Sequence, residues 1–329
     1  MTPLSQFALF HTRDPDHARE LVARSFCAHR LEPLAEHDAF DARHHLARGA
    51  MIAINYLHYG ATVLIDPQEL QDFYLIQIPV SGAARITNGS STFLSDRNTG
   101  TILNPDRRTR MIWLAGCEQF LVYVSRKVLS RFAEAVISRS LSTPIVFEPQ
   151  ISFARPDAEL WRRKVCALYG AAEEGRLFVS DSALDQRLLE EALLSEFLAM
   201  QPSNISQFMN EPVTALNAGY VKRARSFIVE NAAKPIGMSD IAEAAGVSIR
   251  TLQYAFTRNL TRTPVEVLRR ERLMRIRQEL ASGHCEMTVA HIASNWGMTH
   301  FGRFSRYYER EFGELPSKTK KLANDARLV

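Results

Sequence analysis

Long apolar runs are missing from this 329-residue chain: no stretch of 18 uncharged apolar residues occurs, which argues against a membrane span. The first residues, MTPLSQFALFHTRD, lack a basic stretch followed by an apolar core, so they do not read as a secretion signal. Cysteine is scarce. Cys27, Cys117, Cys166 and Cys285 stand far apart and form no CxxC pair, as expected of structural thiols in a reducing cytoplasm. No low-complexity tract appears. What is present, 46% apolar and 23% charged residues, is the composition of a soluble globular protein. The length is too great for one ordinary core and suits two domains.

The net charge of +4 says little, but its distribution says more. From Thr214 to Val329 there are 19 Lys and Arg against 11 Asp and Glu, whereas the remaining residues hold 21 against 25. A mildly acidic front joined to a basic back is the pattern of a ligand or partner domain tethered to a nucleic-acid binder.

From Met51 to about Ser125 the chain reads as short strands. The segments MIAINYLHYGATVLI, FYLIQIPV, TGTILN, RMIWLA and QFLVYV are broken at Gly60, Asp66-Pro67, Asn88-Gly89, Asn98 and Asn104-Pro105-Asp106. Strands at this spacing, with no helices between them, predict an antiparallel barrel or double-sheet jelly roll. Residues 14–30 place Ala18, Leu21, Val22, Ser25 and Phe26 on one face, so a helix is expected before the sheet. Helical spacing returns over 126–138, 157–174 and 181–200. In the last of these, Leu184, Leu188, Leu189, Ala192, Leu193 and Leu198 form an apolar stripe, with Asp185, Glu190, Glu191 and Glu196 mostly on the other side. That stripe can cover the sheet or pack on its counterpart in a second subunit. Residues 201–213, QPSNISQFMNEPV, read as a linker. The expected layout is therefore a domain over 1–200, a linker, and a helical domain over 214–329.

The helical domain carries two helix-turn-helix patterns, over 239–258 and 288–310. In the first, Ser239 is expected to cap a short helix with Ile241, Ala242 and Ala245 inward. Gly246 makes the turn, and Ser248 caps a second helix with Leu252, Ala255 and Phe256 inward. In the second, Thr288 caps a helix with Val289, Ile292 and Ala293 inward, and Gly297 makes the turn. Thr299 opens a helix whose inner side is marked by Phe301, Phe304, Tyr308 and Phe312. Between them, Thr263-Pro264-Val265-Glu266 combines a capping threonine, proline at the first helical position and a glutamate three residues on. That start opens a helix of about five turns, a rod able to set two reading heads roughly one DNA turn, about 34 Å, apart.

Three runs, IAxxAGVSxRTLQxxF, TPxxxLRxxRL and IAxxWGMTHFGRFSRYYxxxFGELPS, make residues 218–320 resemble the AraC/XylS family of transcription regulators. Thr261 stands where that family often has glycine, and Met298 where it usually has an aromatic. The resemblance implies a DNA-binding regulator that contacts RNA polymerase and needs no cofactor. Arg250 and Arg303 can pair bidentately with guanine, and Gln253 with adenine. Tyr254, His300 and Arg306 are candidates for base or sugar-phosphate contacts, and Ser248, Thr251, Thr299 and Arg258 for phosphates.

The front half is similar to the sensory domain of the XylS-like branch, through His44-His45, Tyr59-Gly60, Asn104-Pro105-Asp106 and the CEQFLVYV run from Cys117. The resemblance implies a cupin-like β-barrel or jelly roll with flanking helices, making the chain α+β with two domains. It also implies a homodimer, a small aromatic carboxylate as effector, and activation of genes for its breakdown. An anionic ring needs a cation within an apolar cavity, and Arg43, with His45 and Tyr56 nearby, is the candidate set. Other readings stay open. One is a regulator without a small-molecule inducer, and another a repressor. A third is a cupin-type metalloenzyme, which would need His and carboxylate ligands converging on one metal. Against the last, His44 and His45 are adjacent and would face opposite ways on a strand, and no HxH pair accompanies them.

Overall fold

Among the described residues, twelve strands fill the front of the chain: β1 Ala8–Thr12, β2 Arg30–Pro33, β3 Ala42–Arg48, β4 Ile52–His58, β5 Val63–Gln68, β6 Phe73–Ser81, β7 Ala84–Asn88, β8 Ser91–Ser95, β9 Thr99–Leu103, β10 Thr109–Trp113, β11 Glu118–Ser125 and β12 Gln150–Ser152. The computed structural model describes residues 2–35, 38–137, 139–178, 183–209, 218–282, 287–298 and 301–325. Seven strands form one sheet in the order β1-β3-β4-β11-β6-β9-β12, and five form another in the order β2-β5-β10-β7-β8. Every pairing is antiparallel. The two sheets share an apolar core that includes Leu57, Tyr59, Ile86, Leu103, Trp113 and Leu121. The antiparallel double-sheet layout expected from the strand spacing, and the cupin-like domain that the resemblance implies, are therefore present.

The strands begin well before Met51. β1, β2 and β3 carry charged residues and histidines on their outward positions, which hides the apolar alternation. The helix expected over 14–30 is shorter, α1 at Pro15–Ser25, capped by Asp14 and opened by Pro15. Its tail is drawn into β2, which pairs with β5.

Helices follow: α2 Arg126–Ile137, α3 Pro156–Glu173, α4 Ala183–Met200, α5 Ser206–Met209, α6 Ala218–Asn231, α7 Met238–Ala245, α8 Ile249–Leu260, α9 Pro264–Ala281, α10 Val289–Asn295, α11 Phe301–Phe312 and α12 Pro316–Asp325. No helix among the described residues is long and apolar enough to cross a membrane. The chain divides into two compact units. One is β-rich, Met1–Ala133, Leu141–Gly175 and Leu193–Asn210, and the other is helical, Glu134–Ser140, Arg176–Ala192 and Glu211–Val329.

Two expectations need correction. On α4, Glu190 and Glu191 are fully buried, whereas Leu189 is 38% exposed and Ala192 is exposed. The carboxylates turn inward because they have hydrogen-bonding partners there, beginning with Gln186 on Glu190 at 2.6 Å. The segment 201–209 is not a free linker. Gln201 donates to the Glu148 and Gln150 carbonyls at 2.6 and 3.0 Å, and Asn204 accepts from the Val146 amide at 2.9 Å, so this stretch is part of the β-rich unit. The rest of the expected linker, and Thr214 itself, lie outside the described residues.

In the helical unit, α6, α7 and α8 pack together with α9, burying Ile228, Ile241, Ala245, Leu252, Phe256 and Leu268. The second half of α9 shares a separate core with α10 and α11, through Ile276, Leu280, Ile292, Met298, Phe304 and Tyr308. Met298, where an aromatic was the family's usual choice, is thus a core residue at 4% exposure.

Candidate nucleic-acid interface

The helix punctuation sets the two reading heads. Gly246 and Gly297 hold φ of +68° and +75°, the left-handed conformation that a helix needs to stop and turn. Ser248 is the N-cap of α8, accepting from the Thr251 amide at 2.9 Å. Thr288 is the N-cap of α10, accepting from the His291 amide at 3.1 Å. Thr263 and Glu266 cap each other's backbone at the start of α9, at 3.2 and 2.7 Å. That bond to the Thr263 amide holds the Glu266 carboxyl below its ordinary range. The 18 residues of α9 span roughly 27 Å between the two heads at 1.5 Å per residue.

One cap differs from expectation. The N-cap of α7 is Gly237, not Ser239. The Ser239 hydroxyl instead donates to Glu191 Oε1 at 2.5 Å. Residue 239 already lies within the first turn, too late to accept from that turn's amides.

On α8 the buried face is Ile249, Leu252, Ala255 and Phe256. The opposite face presents Gln253, Tyr254 and Arg258, all exposed, with Arg250 and Thr251 half-buried beside them. Arg258 donates to the Tyr254 hydroxyl at 3.2 Å, so these two act as a linked pair. Ser248 is buried, and its hydroxyl pairs with that of Thr251 at 2.8 Å, which leaves it little reach for a phosphate. On α11, Arg303 and Arg306 are exposed, and Arg306 Nε donates to the Gly302 carbonyl at 3.2 Å. Phe304 and Tyr308 are buried, but Phe301 is 45% exposed, because the first residue of α11 projects beyond the core. Thr299 and His300 lie outside the described residues. The structure therefore brings Arg250, Gln253, Tyr254 and Arg258 onto one face of α8, and exposes Arg303 and Arg306 on α11.

The candidate effector set is placed differently. Strand alternation sends Ala42 and His44 into the core and leaves Arg43 and His45 on the outer face of the seven-stranded sheet. Tyr56, opposite His45 in register, shares that face, and their rings lie 5.5 Å apart. Arg43 is ion-paired with Asp41 at 2.7 Å, and His11 binds the same carboxylate. His45 bonds the Pro3 carbonyl at 2.6 Å. Burial, then the Glu118 carboxylate, pushes the Tyr56 hydroxyl well above its ordinary pKa. The three residues are neighbours, but they turn away from the barrel interior.

The interior holds a cavity of about 40 Å³, walled by apolar side chains such as Phe26, Leu75 and Leu121 together with His29, Gln77 and Trp113. His29 Nε2, Gln77 Oε1 and Trp113 Nε1 are buried there without a hydrogen-bond partner. Burial holds the His29 ring below its ordinary pKa, so it is neutral. Among the described residues no lysine or arginine lines the cavity. The signal missed in the sequence is Gln77, a polar residue at the centre of the otherwise apolar FYLIQIPV strand. No group of three or more His, Cys, Asp or Glu among the described residues is disposed to hold a metal ion.

Residues 18–199 match the family model of the AraC-binding-like domain, and residues 241–322 that of a helix-turn-helix domain. The probable thc operon regulatory protein of Rhodococcus erythropolis is 25% identical over 309 residues, covering 93% of this chain and 92% of that protein. The XylDLEGF operon transcriptional activator 1 of Pseudomonas putida is 26% identical over 264 residues, covering 80% of this chain and 79% of that protein. The crystal structure of a probable AraC family transcriptional regulator from Rhodopseudomonas palustris is 30% identical, with a TM-score of 0.32, over 32% of this chain and 98% of that one. A matching AraC-binding-like model over more than half of the chain, followed by two capped helix-turn-helix units, makes it a DNA-binding transcription regulator that belongs to the AraC/XylS family.

Proposed function

We propose that this regulator is an activator of a catabolic operon, contacts RNA polymerase, acts as a homodimer and answers to a small aromatic effector. The observation that carries the DNA-reading half is the pair of capped heads on one rod, with polar faces outward on α8 and α11. Arg250, Gln253, Tyr254 and Arg258 from the first head, and Arg303 and Arg306 from the second, are the proposed contacts. Activation is supported by relatives that are themselves named operon transcriptional activators, and the catabolic target rests on the resemblance to the XylS-like branch.

Within the barrel a ring would meet Gln77, Trp113 and the neutral His29 as polar partners, with Arg43 on the far side of the sheet. That lining favours an uncharged hydrogen-bonding group over a carboxylate. The cavity of about 40 Å³ is also small, since a cavity that takes up benzene measures about 150 Å³. An effector would have to move side chains such as Phe26 to enter. The size favours a second reading, a regulator of the same family without a small-molecule inducer.

Sequencing the DNA fragments that the purified protein retains at about physiological salt tests the first half, and neighbouring genes identify the pathway. Retention of no sequence above random competitor would remove it. Calorimetry against a panel of neutral and anionic aromatics separates the two effector readings. One-to-one binding supports the inducer, and failure across the panel supports its absence.

A further inference from the structure

Sequence patterning put Glu191 on the solvent side of α4, yet it is 1% exposed. Both its oxygens are engaged by the start of α7. Oε2 accepts from the Met238 amide, and Oε1 from the Ser239 hydroxyl at 2.5 Å. One turn earlier on α4, Arg187 donates to the Asp240 carboxylate at 3.0 Å and to the Pro235 carbonyl at 3.2 Å. All of these groups belong to the helical unit.

The first turn of a helix leaves amide hydrogens unpaired and carries a partial positive charge, which an N-cap side chain ordinarily answers. Gly237 has no side chain to do so. Asp240 turns back to the Gly237 amide at 2.8 Å, and the Met238 amide is left to Glu191. A β-carbon on Gly237 would lie 2.3 Å from Glu191 Oε1, so the bare glycine is what admits the carboxylate. Burial raises the Glu191 pKa, and the bonds from Ser239 and Met238 oppose that rise. A leucine at 191 would fill the space without this desolvation. The carboxylate instead makes directional bonds.

We propose that Glu191, supported by Arg187, is a positioning residue for DNA reading, capping α7 from α4 and thereby fixing how the first head presents α8 to the duplex. The inference rests on α8 being the recognition helix of that head. The second head has no such dependence, because α10 is capped by its own Thr288. The later half of α4 belongs to the β-rich unit, where the Leu193 carbonyl accepts from Trp161 Nε1 at 3.0 Å and Phe197 packs on the Trp161 ring.

The test uses the full-length chain and a duplex recovered by the wild-type protein from a random-sequence pool, footprinted with hydroxyl radicals. Arg250→Ala and Arg303→Ala assign the half-sites of the first and second heads. Glu191→Ala should raise the concentration needed to protect the first half-site about ten-fold and leave the second within about two-fold. Glu191→Gln keeps one acceptor oxygen and should recover part of the loss. Ser239→Ala, which spares the Met238 bond, should show a smaller effect at the same half-site. Amide exchange over residues 238–241 should quicken in Glu191→Ala. Equal weakening of both half-sites, or of neither, overturns the proposal, as does unchanged exchange. If Arg250→Ala and Arg303→Ala leave both half-sites protected, the recognition reading fails on its own. The exchange measurement still decides whether Glu191 caps α7.

Discussion

Arg303 stands exposed on α11, and its guanidinium meets no hydrogen-bonding or ionic partner among the described residues. A planar donor held on a rigid helix suits guanine O6 and N7. Arg303→Ala should therefore cost ~1–3 kcal/mol at one base pair of the operator and little elsewhere, as read by competition with single-base-pair variants. A uniform loss across all variants would reassign the residue to the backbone. His44 carries a different consequence. Its buried ring donates through Nε2 to Asn55 Oδ1 at 2.9 Å. Burial holds its pKa at about 4, with His45 and Arg48 adding to the fall and Asn55 opposing it. Below about pH 6.5 the unfolded chain takes up a proton that the folded ring resists, so stability of the β-rich unit falls as pH drops towards 4, by as much as ~3 kcal/mol. Denaturant midpoints at pH 7 and pH 4.5 should separate accordingly in the native chain and converge in His44→Gln. Equal pH dependence in both would show that another group is responsible.

At the scale of elements, the helical unit was largely legible because its signals are local. Ser248, Thr263 and Thr288 cap the starts of α8, α9 and α10, left-handed Gly246, Gly297 and Gly313 follow α7, α10 and α11, and each acts within four residues of itself. Thr261 is the exception that proves costly. It closes α8 at φ +52°, where a β-branched residue is strained and the family often uses glycine. Thr261→Gly should stabilise the unit by ~1 kcal/mol and slow amide exchange around Leu260. Faster exchange would mean that glycine's freedom outweighs the relieved strain. Where bonds reach across the chain, patterning misled. Glu191 looked solvent-facing because its partners, Met238 and Ser239, could not be seen from α4 alone. Arg43, His45 and Tyr56 were grouped as a cation with near neighbours for an anionic ring, and that chemistry does not say which face of the sheet is the inside. That depended on β1 and β3, whose charged and histidine-rich segments gave no strand signal.

The whole molecule joins a slightly acidic β-rich part to a basic helical part. If the two heads neutralise six or more phosphates between them, affinity for any duplex should fall about 10³-fold or more between 50 and 200 mM salt. Titrations across that range check it, and a flat response would argue against two engaged heads. The division of α4 between the units bears on how such regulators are taken apart and recombined. A hybrid made by cutting before Thr214 and grafting a foreign sensor would discard the carboxylate on which α7 rests, leaving a glycine-started helix open to water. Such a hybrid should read its second half-site faithfully and its first one loosely, and moving the graft point upstream of Arg187 should restore both.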